Sequence, residues 1–475
     1  MTESPVIAPA PGKPLLLLGA FDIDSVGYVA EEFFISGTAW SYAPVRELGP
    51  DGRWDVMRSS TTDYTTRIVV LTPADRARFN GTVLVEWLNV SGGIDAPAVW
   101  LMAHREILRA GYAYVGVSAQ KVGVDGGASL LGIDMSLKSQ DPTRYARLNH
   151  PGDAFAFDIF SQVGGLVRDA SDAILGDLRP QHIVAIGESQ SAMFLTTYVN
   201  AVDPLAQAYD GFLVHSRFAS AAPLDDISIF DESQTGMPEA VAFRRDLRVP
   251  VVTIITETDL FGAVRHGYYF ARQPDNESLR VWEIPGAAHA DNYTIQVAPI
   301  DSGSAPLDDI VAAYAPTNVL MGQQLGHYIN FGPQHHYVAQ AALAALNRWV
   351  RTGEPAPVAP PISVREADQP QPISDSNGLA RDGVRTPWVD VPIARTSGVG
   401  ASEGGSESVM SAIFGSGEPF DAATVQRLYP GGAGEYLERF TAALDTAIQS
   451  GFILPADRAE ILQLADATYP RDRSQ

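Results

Sequence analysis

The sequence contains no cysteine, and this absence removes several kinds of chemistry at once. Without thiols the chain has no disulfide, no cysteine nucleophile and no cysteine-ligated metal. Positive charge is also scarce, because 33 lysines and arginines stand against 56 aspartates and glutamates, a net charge of −23. Nucleic acids and anionic membrane surfaces bind basic patches, so we expect neither as a partner.

Long apolar runs are missing as well. No stretch approaches the roughly 20 consecutive apolar residues that a helix needs to span a bilayer. The short apolar run at residues 15–18 has no basic segment before it and no small-residue cleavage site after it, unlike a secretory signal. We therefore expect a cytoplasmic protein.

The chain does have a high apolar content and a regular alternation of strand and helix patterns. Its 475 residues are 45% hydrophobic, which predicts a large buried core. The predicted buried strands are RIVVLTP, TVLVEWLN, YAYVGVSAQ, HIVAIGES, GFLVHSRFA, VPVVTIITETD and LRVWEIPGAAH. Most are apolar throughout, as in strands covered on both faces of a parallel sheet. The pattern predicts an α/β fold with a mostly parallel central sheet flanked by helices, and antiparallel strands from YVAEEFFISGTAWSYAPV at one edge.

Two long segments interrupt this alternation of strands and helices, and the residues that follow the last predicted helix of the main domain are irregular in pattern. Residues 121–154 and 219–248 lack a clear period, and long loops of this kind commonly form lids or pocket walls. The main domain is predicted over residues 1–355. Residues 356–475 form a C-terminal extension, loop-rich and then helical. Its apolar side chains at near-helical spacing are expected to pack on the main domain; they are Leu437, Phe440, Leu444 and Ile448.

The segment IGESQSAMF places a serine between a predicted buried strand and a helix. Gly187 two residues before Ser189 allows a sharp turn, and the small Ser191 two residues after it allows the helix to approach. Such a turn exposes the Ser189 hydroxyl above the sheet, although a serine that merely caps a helix gives a similar pattern. The backbone N–H of Gln190 is a candidate oxyanion donor.

A serine nucleophile needs a base, and the base needs an orienting carboxylate. Of the nine histidines, His289 is favoured because it follows a strand through the small-residue turn GAAH. Asp259 and Glu257 both lie where the preceding strand is predicted to end; Asp259 is the preferred acid and Glu257 the alternative. The second oxyanion donor is expected from Asn89 or its neighbour Val90, in the loop after VLVEWL.

No cofactor or metal is expected. The histidine pair at residues 335–336 matches no zinc-binding spacing. The glycine-rich segments GVDGG and GVGASEGG lack the pattern and the lysine of a phosphate-binding loop.

These motifs, in this order, resemble the α/β-hydrolase superfamily and, more closely, the bacterial "α/β hydrolase domain" family. The resemblance is carried by VEWLNVSGG, DPTRYARLNHPGDAFAFDIFSQ, GESQSA, TETDLFG, WEIPGAAHAD and, in the extension, GVRTPWVDVPIA and GFILPADR. It implies an α/β-hydrolase fold and a triad of Ser189, His289 and either Asp259 or Glu257. It also implies that the extension belongs to the same unit, and it does not imply a substrate.

The expected function is a serine hydrolase that cleaves a small-molecule carboxylic ester through an acyl-enzyme. An acyltransferase, a lactonase or an amidase would use the same triad, so these remain alternatives. A non-catalytic binding protein on a hydrolase scaffold is a further alternative, although it predicts a degraded triad. The oligomeric state is left open.

Overall fold

A computed structural model describes residues 4–169, 171–230, 237–263, 265–400 and 409–471. Its centre is a nine-stranded sheet in the order β1-β2-β3-β5-β4-β6-β7-β8-β9. The strands are β1 (Val6–Pro9), β2 (Tyr28–Pro44), β3 (Val56–Pro73), β4 (Thr82–Trp87), β5 (Ala113–Val117), β6 (His182–Glu188), β7 (Gly211–His215), β8 (Val251–Thr256) and β9 (Leu279–Ile284). The run from β5 to β9 is parallel, and β1, β2 and β3 add an antiparallel edge.

Strand β3 is much longer than the apolar pattern predicts. The predicted strand begins at Arg67, whereas the structure extends it back to Val56, where it pairs with the distal half of β2. Most of the additional residues are polar, and several are exposed. An antiparallel ribbon open to solvent needs no continuous apolar run, so its sequence gives a weak strand signal.

Helices cover both faces of the sheet. In chain order they are α1 (Ala98–Ala110), α2 (Lys121–Asp125), α3 (Leu137–Gln140), α4 (Ala156–Asp169), α5 (Ser171–Leu175), α6 (Gln190–Thr197), α7 (Asp203–Ala206), α8 (Glu257–Phe261), α9 (Leu307–Ala313), α10 (Gln334–Thr352), α11 (Pro387–Asp390), α12 (Val409–Ile413), α13 (Ala422–Leu428), α14 (Gly432–Gln449) and α15 (Arg458–Thr468). Within the described ranges, no helix is both long enough and apolar enough to cross a bilayer.

The two largest apolar clusters of the described chain lie on opposite faces of the sheet. Val83 and Val85 of β4 belong to the cluster with α4 and α6, and Leu84 between them belongs to the cluster with α1 and α10. Successive side chains of a strand point to opposite faces, so a strand covered on both faces must be apolar at every position. This explains the uninterrupted apolar runs in the sequence.

The C-terminal extension adds short strand pairs and a small core of its own. The short strands here and in the preceding loop are β10 (Val319–Leu320), β11 (Gln323–Gln324), β12 (Val364–Arg365), β13 (Gln371–Pro372), β14 (Ala394–Ser397) and β15 (Ser416–Pro419). Phe440 and Leu444 are buried, mainly among other residues of the extension, and Leu437 and Ile448 are only partly buried. The expectation that all four pack on the main domain is therefore only partly right. Helices α11, α13 and α15 supply apolar partners within the extension itself.

Other side chains attach the extension to the main domain. Trp388 stacks on Tyr337 of α10 with ring centroids 5.5 Å apart, and Phe452 meets Trp282 of β9 edge-on at 5.0 Å. Arg109 of α1 forms an ion pair with the buried Asp457 at the start of α15. The extension is thus packed on the core, as the sequence predicts for this fold class.

Candidate active site

Ser189 occupies a strained turn between β6 and α6. Its φ of 60° and ψ of −117° are rare for any residue other than glycine. At Gly187 a side chain would place its Cβ 2.9 Å from Leu195 Cδ1 and 3.1 Å from Ser191 Cβ. Helix α6 therefore approaches the strand closely at Gly187, where a larger residue would crowd Leu195 and Ser191, as expected for a nucleophile turn.

His289 lies in the loop after β9 and reaches Ser189 across the end of the sheet. Its Nε2 is 2.7 Å from Ser189 Oγ, and its Nδ1 is 2.6 Å from Asp259 Oδ1. A carboxylate only accepts hydrogen bonds, so Nδ1 carries the proton and Nε2 is left to accept from the serine hydroxyl. The imidazole also stacks on Phe218 with ring centroids 5.3 Å apart. The structure thus brings together the three residues that the sequence predicts as a triad.

Asp259 is held by the start of a helix and not by the end of a strand. Strand β8 ends at Thr256, and Asp259 is the third residue of α8. Asp259 Oδ2 accepts from the Thr256 N–H at 2.8 Å, and the Thr256 side chain accepts from the Asp259 N–H at 3.3 Å. This reciprocal capping leaves Oδ1 for His289. The T-x-x-D spacing in TETD is the sequence signal that distinguishes this aspartate.

Glu257, the alternative acid, is occupied elsewhere. Its carboxylate accepts from the Gly286 N–H at 2.5 Å, the Ser397 hydroxyl at 2.7 Å and the Gly398 N–H at 2.9 Å. Burial raises the pKa of Glu257, and the three donors act against that shift. Asp259, not Glu257, contacts His289, and Glu257 links the loops after β8 and β9 to the extension.

The extension supports the triad at one further point. Thr258 Oγ1 accepts from the His289 N–H at 3.1 Å and donates to the Gly398 carbonyl at 2.7 Å. A Cβ at Gly398 would lie 2.5 Å from the Ala287 carbonyl oxygen, so the extension packs closely against the segments that follow β8 and β9. No local pattern in the sequence indicates this contact.

A second carboxylate, which the sequence analysis missed, faces the same imidazole. Glu188, the residue before the nucleophile, places Oε1 3.6 Å from His289 Nε2. Burial raises the pKa of Glu188 to about 7, although the charge of His289 acts against the shift. Burial lowers the pKa of His289, but Asp259 and then Glu188 outweigh it and raise that pKa to about 9. The sequence signal for this carboxylate is the glutamate next to Ser189 in GESQS.

The two predicted oxyanion donors differ in availability. Gln190 is the first residue of α6, so its N–H has no acceptor within the helix and lies beside Ser189. The backbone N–H of Asn89 donates to the Ala96 carbonyl at 2.9 Å, so the prediction of this group as a donor is wrong. Asn89 and Ala96 form an antiparallel β-bridge that closes the loop after β4. The Val90 N–H donates to Gln190 Oε1 at 3.1 Å, a bond that rotation of the glutamine side chain would release.

A cavity of about 620 Å³ opens over Ser189 and His289. Both long segments that interrupt the strand–helix alternation contribute apolar walls, and so does the extension. These walls include Leu130, Leu131, Ile229, Phe230, Ile413 and Phe414. Within the described part of the chain, no group of three or more histidines and carboxylates is placed to hold a metal ion.

Comparison with known families decides the relationship. The profile of the family described as "Alpha/beta hydrolase domain" matches residues 2–463, nearly the whole chain. The chain belongs to this family. The predicted fold class, an α/β-hydrolase fold with inserted segments and a packed C-terminal extension, is confirmed.

Similar solved structures include esterases of low sequence identity. A glucuronoyl esterase from Solibacter usitatus is 11% identical, with 59% of this chain and 81% of that chain covered and a TM-score of 0.29. Acetyl xylan esterase 1 from Thermoanaerobacterium sp. is 10% identical, with 60% and 83% covered and a TM-score of 0.31. Similarity at this level carries no information on the substrate. A search of curated proteins gave no match.

Proposed function

We propose that this protein is a serine hydrolase that cleaves a carboxylic ester through an acyl-enzyme intermediate. The observation that carries the proposal is the hydrogen-bonded relay from Ser189 through His289 to Asp259, with distances of 2.7 and 2.6 Å. The relay lies at a cavity with mostly apolar walls, which suits the acyl or alcohol part of an ester. Membership of the α/β-hydrolase domain family supports hydrolysis as the reaction class.

Acylation begins when Ser189 Oγ attacks the ester carbonyl and its proton moves to His289 Nε2. The carbonyl π electrons move onto oxygen and form a tetrahedral oxyanion. The Gln190 N–H donates to this oxyanion, and a donor of this kind lowers a barrier by roughly 3 kcal/mol. Asp259 stabilises the imidazolium and holds its tautomer.

The intermediate collapses when the carbonyl reforms and the carbon–oxygen bond to the alcohol breaks. His289 gives its proton to the departing alkoxide, so the alcohol leaves neutral and Ser189 remains acylated. Water then attacks the acyl-enzyme, with the neutral His289 as its base, and the same steps release the acid. The reaction is balanced by one water and needs no cofactor.

Active-site labelling and turnover test the proposal together. A serine-directed fluorophosphonate is expected to modify Ser189, and the protein is expected to hydrolyse p-nitrophenyl acyl esters. Ser189→Ala should abolish both signals. Ser129→Ala is the matched control, because Ser129 lines the same cavity but its hydroxyl donates to the Ile133 carbonyl. Labelling that persists in Ser189→Ala, or turnover of an amide or a transfer to an alcohol in place of ester hydrolysis, would contradict the proposal.

A further inference from the structure

A guanidinium group lines the same cavity as the triad. Arg265, in the segment that follows α8, is partly buried in the cavity wall with Ile229 and Phe230. One of its nitrogens, Nη2, donates to the Ile229 carbonyl. Among the described residues that line the cavity, Arg265 is the one arginine or lysine, and most of its neighbours there are apolar.

Arg265 has no carboxylate partner among the described residues. Some other buried or partly buried arginines do: Arg67 pairs with Glu32 and Asp95, and Arg272 pairs with Glu283. Arg217 is buried without one, but it does not line the cavity, and its guanidinium donates to three backbone carbonyls and lies over two aromatic rings. The chain has 56 acidic residues against 33 basic ones, so acidic partners are abundant. Burial without an anion costs free energy and lowers the pKa of Arg265.

We propose that Arg265 binds a carboxylate of the substrate, so that the ester cleaved at Ser189 carries a free carboxylate at its other end. A guanidinium has five N–H donors, and a carboxylate accepts two of them in parallel. One guanidinium neutralises one negative charge, which suits a carboxylate better than a dianionic phosphate in an apolar cavity. This inference rests on the proposed function for the position of the scissile ester.

The cavity also contains a carboxylate, that of Glu188 beside the triad. Among the described residues, Glu188 forms its ion pair with His289 and none with Arg265. Arg265 is therefore not neutralised by the carboxylate beside the triad. A substrate with its ester at Ser189 and its carboxylate at Arg265 would lie in a cavity whose other walls are mostly apolar, as a half-ester of a dicarboxylic acid could.

The kinetic test compares matched esters that differ in one charge. The substrates are 4-nitrophenyl half-esters of glutaric, adipic and pimelic acids and the corresponding 4-nitrophenyl methyl diesters, with spontaneous hydrolysis subtracted. The readout is the ratio of kcat/KM for half-ester over diester. The wild type should favour the half-ester, and Arg265→Gln should reduce the ratio by about 10- to 100-fold, the range for one charge-assisted hydrogen bond.

Controls separate charge recognition from a general defect. The loss should lie in KM, and Arg265→Lys should restore part of the ratio. Arg46→Gln, at an exposed arginine, should leave the ratio at the wild-type value. Thermal unfolding and fluorophosphonate labelling of Ser189 show whether Arg265→Gln is folded. An equal ratio in the wild type and Arg265→Gln would overturn the carboxylate site while leaving the esterase proposal intact.

A binding measurement decides the site without turnover. Monomethyl glutarate and dimethyl glutarate are titrated by calorimetry into Ser189→Ala and into Ser189→Ala/Arg265→Gln. Loss of Arg265 should weaken binding of the monoanion by about 10- to 100-fold, and binding of the neutral diester far less. If the wild type hydrolyses no ester, the proposed function fails, but this titration still decides the carboxylate site. Equal monoanion binding by the two variants would overturn it.

Discussion

Glu188→Gln tests whether two carboxylates act on one imidazole. Glu188 Oε1 lies 3.6 Å from His289 Nε2. Two unit charges at this distance attract by about 1 kcal/mol even with the dielectric constant of water, and by more in a partly buried site. One pKa unit corresponds to about 1.4 kcal/mol, so we expect the substitution to lower the pKa of His289 by about 1 unit or more.

The direction of the pH effect follows from the role of the base. His289 must be neutral to accept the Ser189 proton, so activity rises with pH through the pKa of His289, about 9. Glu188, with a pKa of about 7, is ionised across that transition and favours the imidazolium. Its removal should therefore move the acidic limb of kcat/KM to lower pH. The alkaline plateau should also fall, because the same charge stabilises the imidazolium in the transition state.

The assay is a profile of kcat/KM for a p-nitrophenyl ester from about pH 5 to about pH 10, followed at the isosbestic wavelength of nitrophenol. Glu257→Gln is the matched control: it is the same exchange two residues from the triad aspartate, but the Glu257 carboxylate accepts from Gly286, Ser397 and Gly398 and does not contact His289. In Glu257→Gln the acidic limb of the kcat/KM profile should stay at the wild-type pH, even when kcat/KM itself is lower. An acidic limb that stays in place or moves upward in Glu188→Gln would refute the reasoning.

Three further predictions concern the acid and the extension. Asp259→Asn should lower kcat by about 10⁴-fold, because an amide favours the wrong tautomer of His289, and an equal or larger loss in Glu257→Gln would reverse the assignment of the acid. Gly398→Ala should lower both Tm and kcat, because the new Cβ would lie 2.5 Å from the Ala287 carbonyl oxygen. Gly434→Ala is the control, because a Cβ there would meet no atom within 4 Å. Equal effects of the two substitutions would contradict a close contact between Gly398 and the loops beside the triad. A chain truncated after residue 351 should be insoluble or strongly destabilised, and a soluble truncate with unchanged Tm and full activity would show that the extension is dispensable.

The sequence by itself determined the parallel sheet and the turn at the nucleophile. Both are local consequences of residue type: strands covered on two faces must be apolar throughout, and the close approach of α6 to the strand before Ser189 favours a glycine at 187. The order of the motifs also indicated the family. The polar half of β3 escaped prediction because a solvent-exposed ribbon carries no comparable apolar pattern.

Only the tertiary structure decided how the loops meet. Ser189 and His289 are 100 residues apart in the chain and bond across the end of the sheet. Asp259 is the acid because the capping turn at the start of α8 directs its carboxylate toward His289. Glu257 is not, because its carboxylate is hydrogen-bonded to the extension. The same holds for Glu188 beside the imidazole and Arg265 in the cavity wall. Local sequence sets backbone conformation through short-range sterics and hydrogen bonds, whereas the neighbours of a loop side chain are set by long-range packing of segments that no local pattern relates.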